Sequence, residues 1–456
     1  MSTRGQAPPL DFAGVLLAGL ANDGGLYVPD TWPQVTEAEI AGFENRAYAD
    51  VATELMARFT EPALSAAELA PLVDDAYRGF DHSAVAPLRQ LSLNEWVLEL
   101  FHGPTLSFKD YALQVVGRLF DHVLRRDGLH MTVVGATSGD TGSAAIEAVR
   151  GRESITAFIL HPKGRVTDVQ RRQMTTVLAS NIHNIAIEGT FDDCQALVKQ
   201  MFSDVNFRDS LRLTAVNSIN WARVAAQTVY YFTTAAFLGT RDRTPSFSVP
   251  TGNFGDIFAG YVAKKMGLPI NKLIVATNEN DILHRAISKG DYISKEVKET
   301  SSPSMDIQLA SNFERLIYYV NNSDSKITAD IMKKIKQNTY QIDKSSLEII
   351  QKDFLSESCN EKETLDIIKK TYQENNMILD PHTAVGVGAA KKLSFNDCVV
   401  LSTAHPCKFP DAINNAINKD EKLPEELQHV LDKDENFKVL NNNTEDVKNF
   451  VKSNTK

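Results

Sequence analysis

The sequence predicts an α/β protein in which parallel sheets are flanked by helices and preceded by an N-terminal helical unit. Residues 1 to about 90 carry helical periodicity in short stretches, 48–59 and 65–77 among them, cut by Pro and Gly turns. From about residue 95 apolar runs alternate with glycine loops and amphipathic stretches. A strand over 131–136 leads to a helix over 143–149, and a second strand covers 154–160. A strand over 247–250 then leads to a helix over 256–266, followed by a strand over 273–277. Such alternation makes the strands parallel, because each return crossing is a helix.

The remaining segments complete the expected organisation. An amphipathic helix is expected over 108–126 and a last buried strand over 399–402. Residues 290–378 are polar and helix-forming around one apolar patch, 313–320, and read as a helical addition. Beyond about 425 the chain is charged and Asn-rich. The domains expected are therefore an N-terminal helical unit at 1–92, a core at 93–425 and a peripheral C-terminal tail at 426–456.

Of 456 residues, 43% are hydrophobic and 23% charged, which is a globular rather than a disordered composition. A net charge of −10 argues against general affinity for nucleic acid, whose phosphates are held by clustered Lys and Arg. One local basic pocket could still receive a small anion. Cys194, Cys359, Cys398 and Cys407 show neither the CxxC spacing of a zinc site nor the density of a disulfide scaffold, so no metal is expected and a reducing cytoplasm fits. The apolar run 12–21 has a single Arg before it and a turn, Asn22-Asp23-Gly24-Gly25, after it, unlike a signal peptide. No stretch reaches the roughly 18 apolar residues of a membrane span. A soluble cytoplasmic protein with no membrane partner is expected.

The basic residues change character midway. Before residue 251 there are 18 Arg and 3 Lys, and after it 2 Arg and 25 Lys. A lysine-coated second domain is one reading. A join between two differently biased gene backgrounds accounts better for the loss of Arg throughout the segment, and it leaves open whether the two halves were selected together. Lys109, Lys163 and Lys199 are the only lysines before residue 251.

Two loops could hold anions. Pro250-Thr251-Gly252-Asn253-Phe254-Gly255-Asp256 lies between an expected strand and an expected helix, so free N–H groups and the helix dipole face one small volume suited to a phosphate. It is neither a Walker loop nor GxGxxG, and a plain strand-to-helix turn reads equally well. Gly135-Ala136-Thr137-Ser138-Gly139-Asp140-Thr141-Gly142 is a second such turn with added hydroxyls, fit for a carboxylate or phosphate, or else a packing turn. Lys109 opens the 108–126 helix. A cation there is unfavourable, and the same placement lowers an amine's pKa, as a lysine bonding to a carbonyl cofactor requires.

His102-Gly103-Pro104-Thr105-Leu106-Ser107-Phe108-Lys109-Asp110 resembles the cofactor-lysine motif of threonine synthases, pyridoxal-phosphate (PLP) enzymes of fold type II, the tryptophan-synthase β-like fold. Four further segments match in order. Ser2-Thr3-Arg4-Gly5 with Gly19 to Tyr27 is similar to the family's N-terminal signature. Ala136 to Gly142, Asn217-Ser218-Ile219-Asn220-Trp221-Ala222-Arg223 and Pro250 to Asp256 resemble its substrate and phosphate loops. Ser402-Thr403-Ala404-His405-Pro406-Cys407-Lys408-Phe409-Pro410 is similar to the segment beside the pyridine nitrogen. The resemblance spans residues 2 to about 412. Where the family has a few residues before the Ser-Thr-Arg-Gly motif, this chain has only Met1, which suggests a trimmed start.

The resemblance implies conversion of O-phospho-L-homoserine and water to L-threonine and phosphate, the last step of threonine biosynthesis. This is the work of a PLP-dependent carbon–oxygen lyase acting on phosphates. It implies that Lys109 carries the cofactor and moves protons among the substrate carbons. Gly252, Asn253, Phe254, Gly255 and Asp256 are implied to hold the cofactor phosphate and Thr403 to face the pyridine nitrogen. Thr137, Ser138, Gly139, Asp140 and Thr141 are implied to bind the substrate carboxylate, and Ser218 and Arg223 the substrate phosphate. His405 and Lys408 are weaker phosphate candidates, and His102 reads as a turn-stabilising residue. A smaller subdomain over 118–230 is expected to move on substrate binding, and a monomer or homodimer is expected. An amino-acid dehydratase, a phospho-lyase giving 2-oxobutyrate, and a cofactor-free binding protein that kept the fold are the rivals. No GxSxG elbow or His–Glu cluster points elsewhere.

Overall fold

The computed structural model describes every residue except Ser138, Val216, Asn217, Thr240, Arg241, Asp242, Asn396, Asp420 and Lys456, and of Glu426 and His429 the backbone alone. Two sheets organise it. In the six-stranded sheet the order is Leu88–Ser92, Glu95–Glu99, Cys398–Ser402, Ser246–Pro250, Leu273–Thr277, Phe354–Ser358, with only the first pair antiparallel. The five-stranded sheet is wholly parallel, in the order Lys438–Asn441, Ile182–Glu188, Ile155–Pro162, Met131–Ala136, Leu213–Thr214. Every residue of Ile155–Pro162 is buried, as a central parallel strand covered on both faces must be.

The N-terminal helices form as their sequence suggests. Ser65 caps the helix Ala66–Tyr77, accepting from Glu68 N–H while the Glu68 carboxylate reaches back to Ser65. Leu69, Val73, Ala76 and Tyr77 then face the core. This unit packs on the helix Lys109–Arg126, which also packs against Asp140–Val149 and Trp221–Leu238. Both long helices are buried along most of their length, so Lys109 starts from a rigid, water-poor support.

The structure adds elements to two regions of the sequence reading. The polar 290–378 region contributes the edge strand Phe354–Ser358 as well as helices; its burial is shallow and does not alternate, which leaves no two-residue period to read. The expected peripheral tail supplies the edge strand Lys438–Asn441 and the helix Thr444–Asn454, whose Val447 and Val451 are buried. The charges of the helix form its solvent face opposite Val447 and Val451, so composition hid a structural role. The join at residue 250 is also no boundary in space: Cys398–Ser402 lies between Glu95–Glu99 and Ser246–Pro250, and Arg171 Nε to Glu435 Oε1 (2.8 Å) and Lys448 Nζ to Asp204 Oδ2 (2.8 Å) pair across it.

Candidate active site

The candidate site lies at the carboxyl ends of parallel strands, where side chains and loop N–H groups escape the ladder. Ser402 ends one strand and hands over to Thr403, whose carbonyl accepts from Phe108 N–H at 2.9 Å. A bridge between Ser107 and Ala404 and a bond from His405 N to Leu106 O (3.1 Å) fasten the two segments. Lys109 is thereby held beside Thr403, whose hydroxyl has no hydrogen-bond partner among the described residues.

Lys109 is 7% exposed, and its Nζ lies 3.4 Å from Asp140 Oδ2. Burial pushes the Lys109 amine down; Asp140 opposes that, while Lys408 and Arg223 add repulsion. Burial alone would raise the Asp140 carboxyl. Lys408, 2.7 Å from Oδ1, and Lys109 outweigh burial and hold it far below the usual range, with Gln170 Nε2 donating at 2.7 Å. The site therefore holds two amines around one carboxylate.

The Thr137–Thr141 turn opens the helix Asp140–Val149. Thr137 Oγ1 accepts from the N–H groups of Gly139 (3.0 Å) and Gly142 (2.8 Å), so this hydroxyl braces the turn itself. Gly139 has φ 147°, and a Cβ there would lie 2.5 Å from the Gln170 side chain. Ser138, named above for substrate carboxylate, lies outside the described residues, as does Asn217 of the third motif.

Between Ser246–Pro250 and the helix Gly255–Lys265, the loop folds so that the N–H groups of Gly252, Asn253, Phe254, Gly255 and Asp256 donate to no acceptor among the described residues. Phe254 has φ 64°, uncommon for a bulky residue, and its ring is anchored against Phe313 and Phe354. A Cβ at Gly252 would lie 2.5 Å from Ser304 O, so only glycine lets the loop sit this close. The Asp256 side chain turns away, its Oδ1 accepting from Tyr230 (2.5 Å) and Tyr231 (3.1 Å). Burial pushes this carboxyl up to about 6, against those bonds and the charge of Arg223.

Arg223, in the first turn of Trp221–Leu238, is 4% exposed and its Nη1 has no partner among the described residues. Burial lowers the guanidinium to about 10, still charged at neutral pH. A buried, unsatisfied, charged donor is costly unless an anion completes it.

Comparison with known proteins matches this geometry to one family. A profile described as threonine synthase N terminus matches residues 1–77, one described as pyridoxal-phosphate dependent enzyme matches 83–403, and one described as threonine synthase, C-terminal, matches 383–451. Curated threonine synthase from Pseudomonas aeruginosa is 50% identical over 456 residues, covering 99% of this chain and 97% of its own. The chain belongs to the threonine synthase family. Among solved structures, PLP-bound threonine synthase from Brucella melitensis is 49% identical with a TM-score of 0.98 over 100% of this chain and 99% of that one. Yeast threonine synthase is 42% identical with a TM-score of 0.95, covering 100% and 98%.

Pyridoxal phosphate is the cofactor of this threonine synthase family member, and the residues present fit it. The array of unbonded N–H groups at 252–256 suits its phosphate, and buried Lys109 suits its carbonyl. Thus the structure brings together Lys109, Thr403, Asp140, Arg223 and the 252–256 loop. It also places Ser218 one turn before Arg223, its carbonyl bonded to Asn312 Nδ2 at 3.0 Å. His102 stands apart between Asp81 Oδ1 (2.7 Å) and Glu99 Oε2 (3.0 Å), bracing the turn. His405, lowered by burial to about 4, accepts Cys407 N–H at 3.2 Å. Sequence reasoning missed the Asp140–Lys408 pair, the Tyr230–Tyr231 support of Asp256, and Asn312 with Arg315. Of these only Arg315 left a signal, as an arginine in a lysine-rich background.

Among the described residues no group of three His, Cys, Asp or Glu is placed to hold a metal ion, and no helix is long and apolar enough to cross a membrane.

Proposed function

We propose that the chain converts O-phospho-L-homoserine and water to L-threonine and phosphate. The single observation that carries the choice of a phosphorylated substrate is Arg223, a buried guanidinium whose Nη1 has no partner among the described residues and which lies close enough to press on Lys109. A dehydratase acting on an unphosphorylated amino acid would leave that charge unmatched.

Bound pyridoxal phosphate supplies an electron sink next to the substrate amine. The protein supplies the rest. Gly252, Asn253, Phe254, Gly255 and Asp256 hold the cofactor phosphate through main-chain N–H groups, and Thr403 offers a neutral hydroxyl to the ring nitrogen. Asp140 and Thr141 present N–H groups at a helix start to the substrate carboxylate, and Thr137 braces that turn by accepting the N–H groups of Gly139 and Gly142. Arg223 and Ser218 hold the substrate phosphate until it leaves. Lys109, its amine pKa depressed, takes the proton from Cα and moves protons at Cβ, and Asp140 with Lys408 keeps it oriented. Water adds at Cβ once phosphate is released.

Small-molecule chemistry of this kind needs no nucleic acid or membrane partner. We place the enzyme in the cytoplasm as a monomer or homodimer, with the units 1–92, 93–425 and 426–456 working together. Incubation of the holoenzyme with O-phospho-L-homoserine tests the reading: threonine and phosphate are expected in equal amounts. Production of 2-oxobutyrate in place of threonine would make it a phospho-lyase.

A further inference from the structure

Asn312 and Arg315 lie in the region read from sequence as a helical addition, yet both are fully buried. Asn312 donates through Nδ2 to Ser218 O (3.0 Å) and to Asn253 O (3.1 Å), and through its main-chain N–H to Asn253 O again (3.1 Å). Its Oδ1 accepts from Arg315 Nη1. Arg315 Nη2 donates to Ile219 O (2.6 Å) and to Tyr27 O (3.0 Å), and Nε to Tyr27 O (3.1 Å). One carboxamide therefore touches both the loop assigned to cofactor phosphate and the segment that leads into Arg223.

The peptide unit makes this more than packing. In a planar trans peptide the C=O of one residue and the N–H of the next point in opposite directions. Fixing Asn253 C=O on Asn312 thus turns Phe254 N–H to the other side of the chain, into the unbonded array of the loop. Fixing the Ser218 and Ile219 carbonyls sets the peptide planes just before Asn220, which caps the helix carrying Arg223.

We infer that Asn312 and Arg315 are positioning residues that couple the two phosphate sites, so that ordering one loop orders the other. The inference rests on the assignment of those sites under Proposed function. Asn312→Ala is expected to raise the PLP dissociation constant, read from the visible absorbance of the cofactor, and the KM for O-phospho-L-homoserine together. Each should rise on the order of tenfold, with kcat changed less. Asn312→Asp keeps the acceptor for Arg315 and loses both side-chain donations, and the same double effect is expected. Leu69→Ala, a core change in the N-terminal unit, serves as a control that lowers thermal stability without moving either constant.

A loss in only one constant, or in thermal stability alone, overturns the coupling. In the wild-type protein, adding PLP without substrate should slow amide exchange at 218–223 as well as at 252–256. Slowing confined to 252–256 overturns it even if the variants do not fold. Arg223→Ala with an unchanged KM would instead sink the assignment of the substrate-phosphate site, and leaves the exchange test to judge the coupling separately.

Discussion

Lys408 Nζ lies 2.7 Å from Asp140 Oδ1, with both side chains almost wholly buried, and the pair joins the segment after the Cys398–Ser402 strand to the helix after Met131–Ala136. It thus spans the two sheets. Removing one partner of such a pair strands a buried charge, so Lys408→Met should cost about 3–5 kcal/mol. Asp140 has a folded pKa below its unfolded value, so its contribution is complete above the unfolded carboxylate value of about 4 and is lost as pH falls through the lower folded value. Urea titrations of wild type and variant should differ by a constant amount from pH 7 to about 4 and converge below. A gap that persists unchanged in acid would refute the ionic origin.

Asp256 should show the opposite dependence. Its folded pKa, about 6, lies above the unfolded value, so wild-type stability contributed by this group is present at low pH and declines as pH rises toward 6. In the apoenzyme Asp256→Asn should therefore match wild type near pH 4 and exceed it near pH 7, by an amount on the order of 2–3 kcal/mol. Parallel curves across that range would show that Arg223 already balances the charge.

Lys109→Ala should abolish turnover and the visible absorbance of the covalently held cofactor, because among the described residues the other amine of the site is Lys408, which Asp140 and Thr105 O (2.7 Å) hold. Retained activity would sink the assignment.

Arg223→Ala should lower kcat/KM for O-phospho-L-homoserine by about ten- to a hundredfold while PLP stays bound. If cofactor is lost and substrate affinity kept, the two phosphate sites are exchanged.

The five-stranded-sheet unit should swing toward the rest when a phosphohomoserine analogue binds, since Gly139–Thr141 and Thr403 belong to different sheets. Residues 433–454 should travel with it. Arg171 bonds Glu435, Asn436 N bonds Thr175 O at 2.6 Å, and Lys438–Asn441 is part of that sheet. Paired structures that superpose without rotation would exclude the motion, and a tail left behind would exclude its membership.

How much of this was legible in sequence depended on whether the signal was local. The strand Leu273–Thr277 was read at its observed bounds, and the apolar patch 313–320 of the expected helical addition coincides with the helix Phe313–Val320, because each is a compact apolar block between breakers. The helix at Lys109 was also plain. Asp140 was read with its turn as a carboxylate-binding element, and its pairing with Lys408, 268 positions later by number, has no local mark. Arg285 and Arg315 are the only arginines after residue 250, and both are buried: Arg285 bonds Asp281 (2.8 Å) and Asp291 (2.5 Å), Arg315 bonds main-chain carbonyls. A planar fork that meets several acceptors at once is not replaced by a point charge.

The strand Lys438–Asn441 completes a sheet whose other members end at Thr214. During synthesis the ribosome must therefore release more than two hundred further residues before that edge can be covered. Pairing over such a separation raises contact order and delays closure, and meanwhile Ile182–Glu188 presents an open ladder to other nascent chains. Truncation shortly before residue 438 would make that exposure permanent, so aggregation during expression, rather than loss of catalysis, is the failure this topology invites.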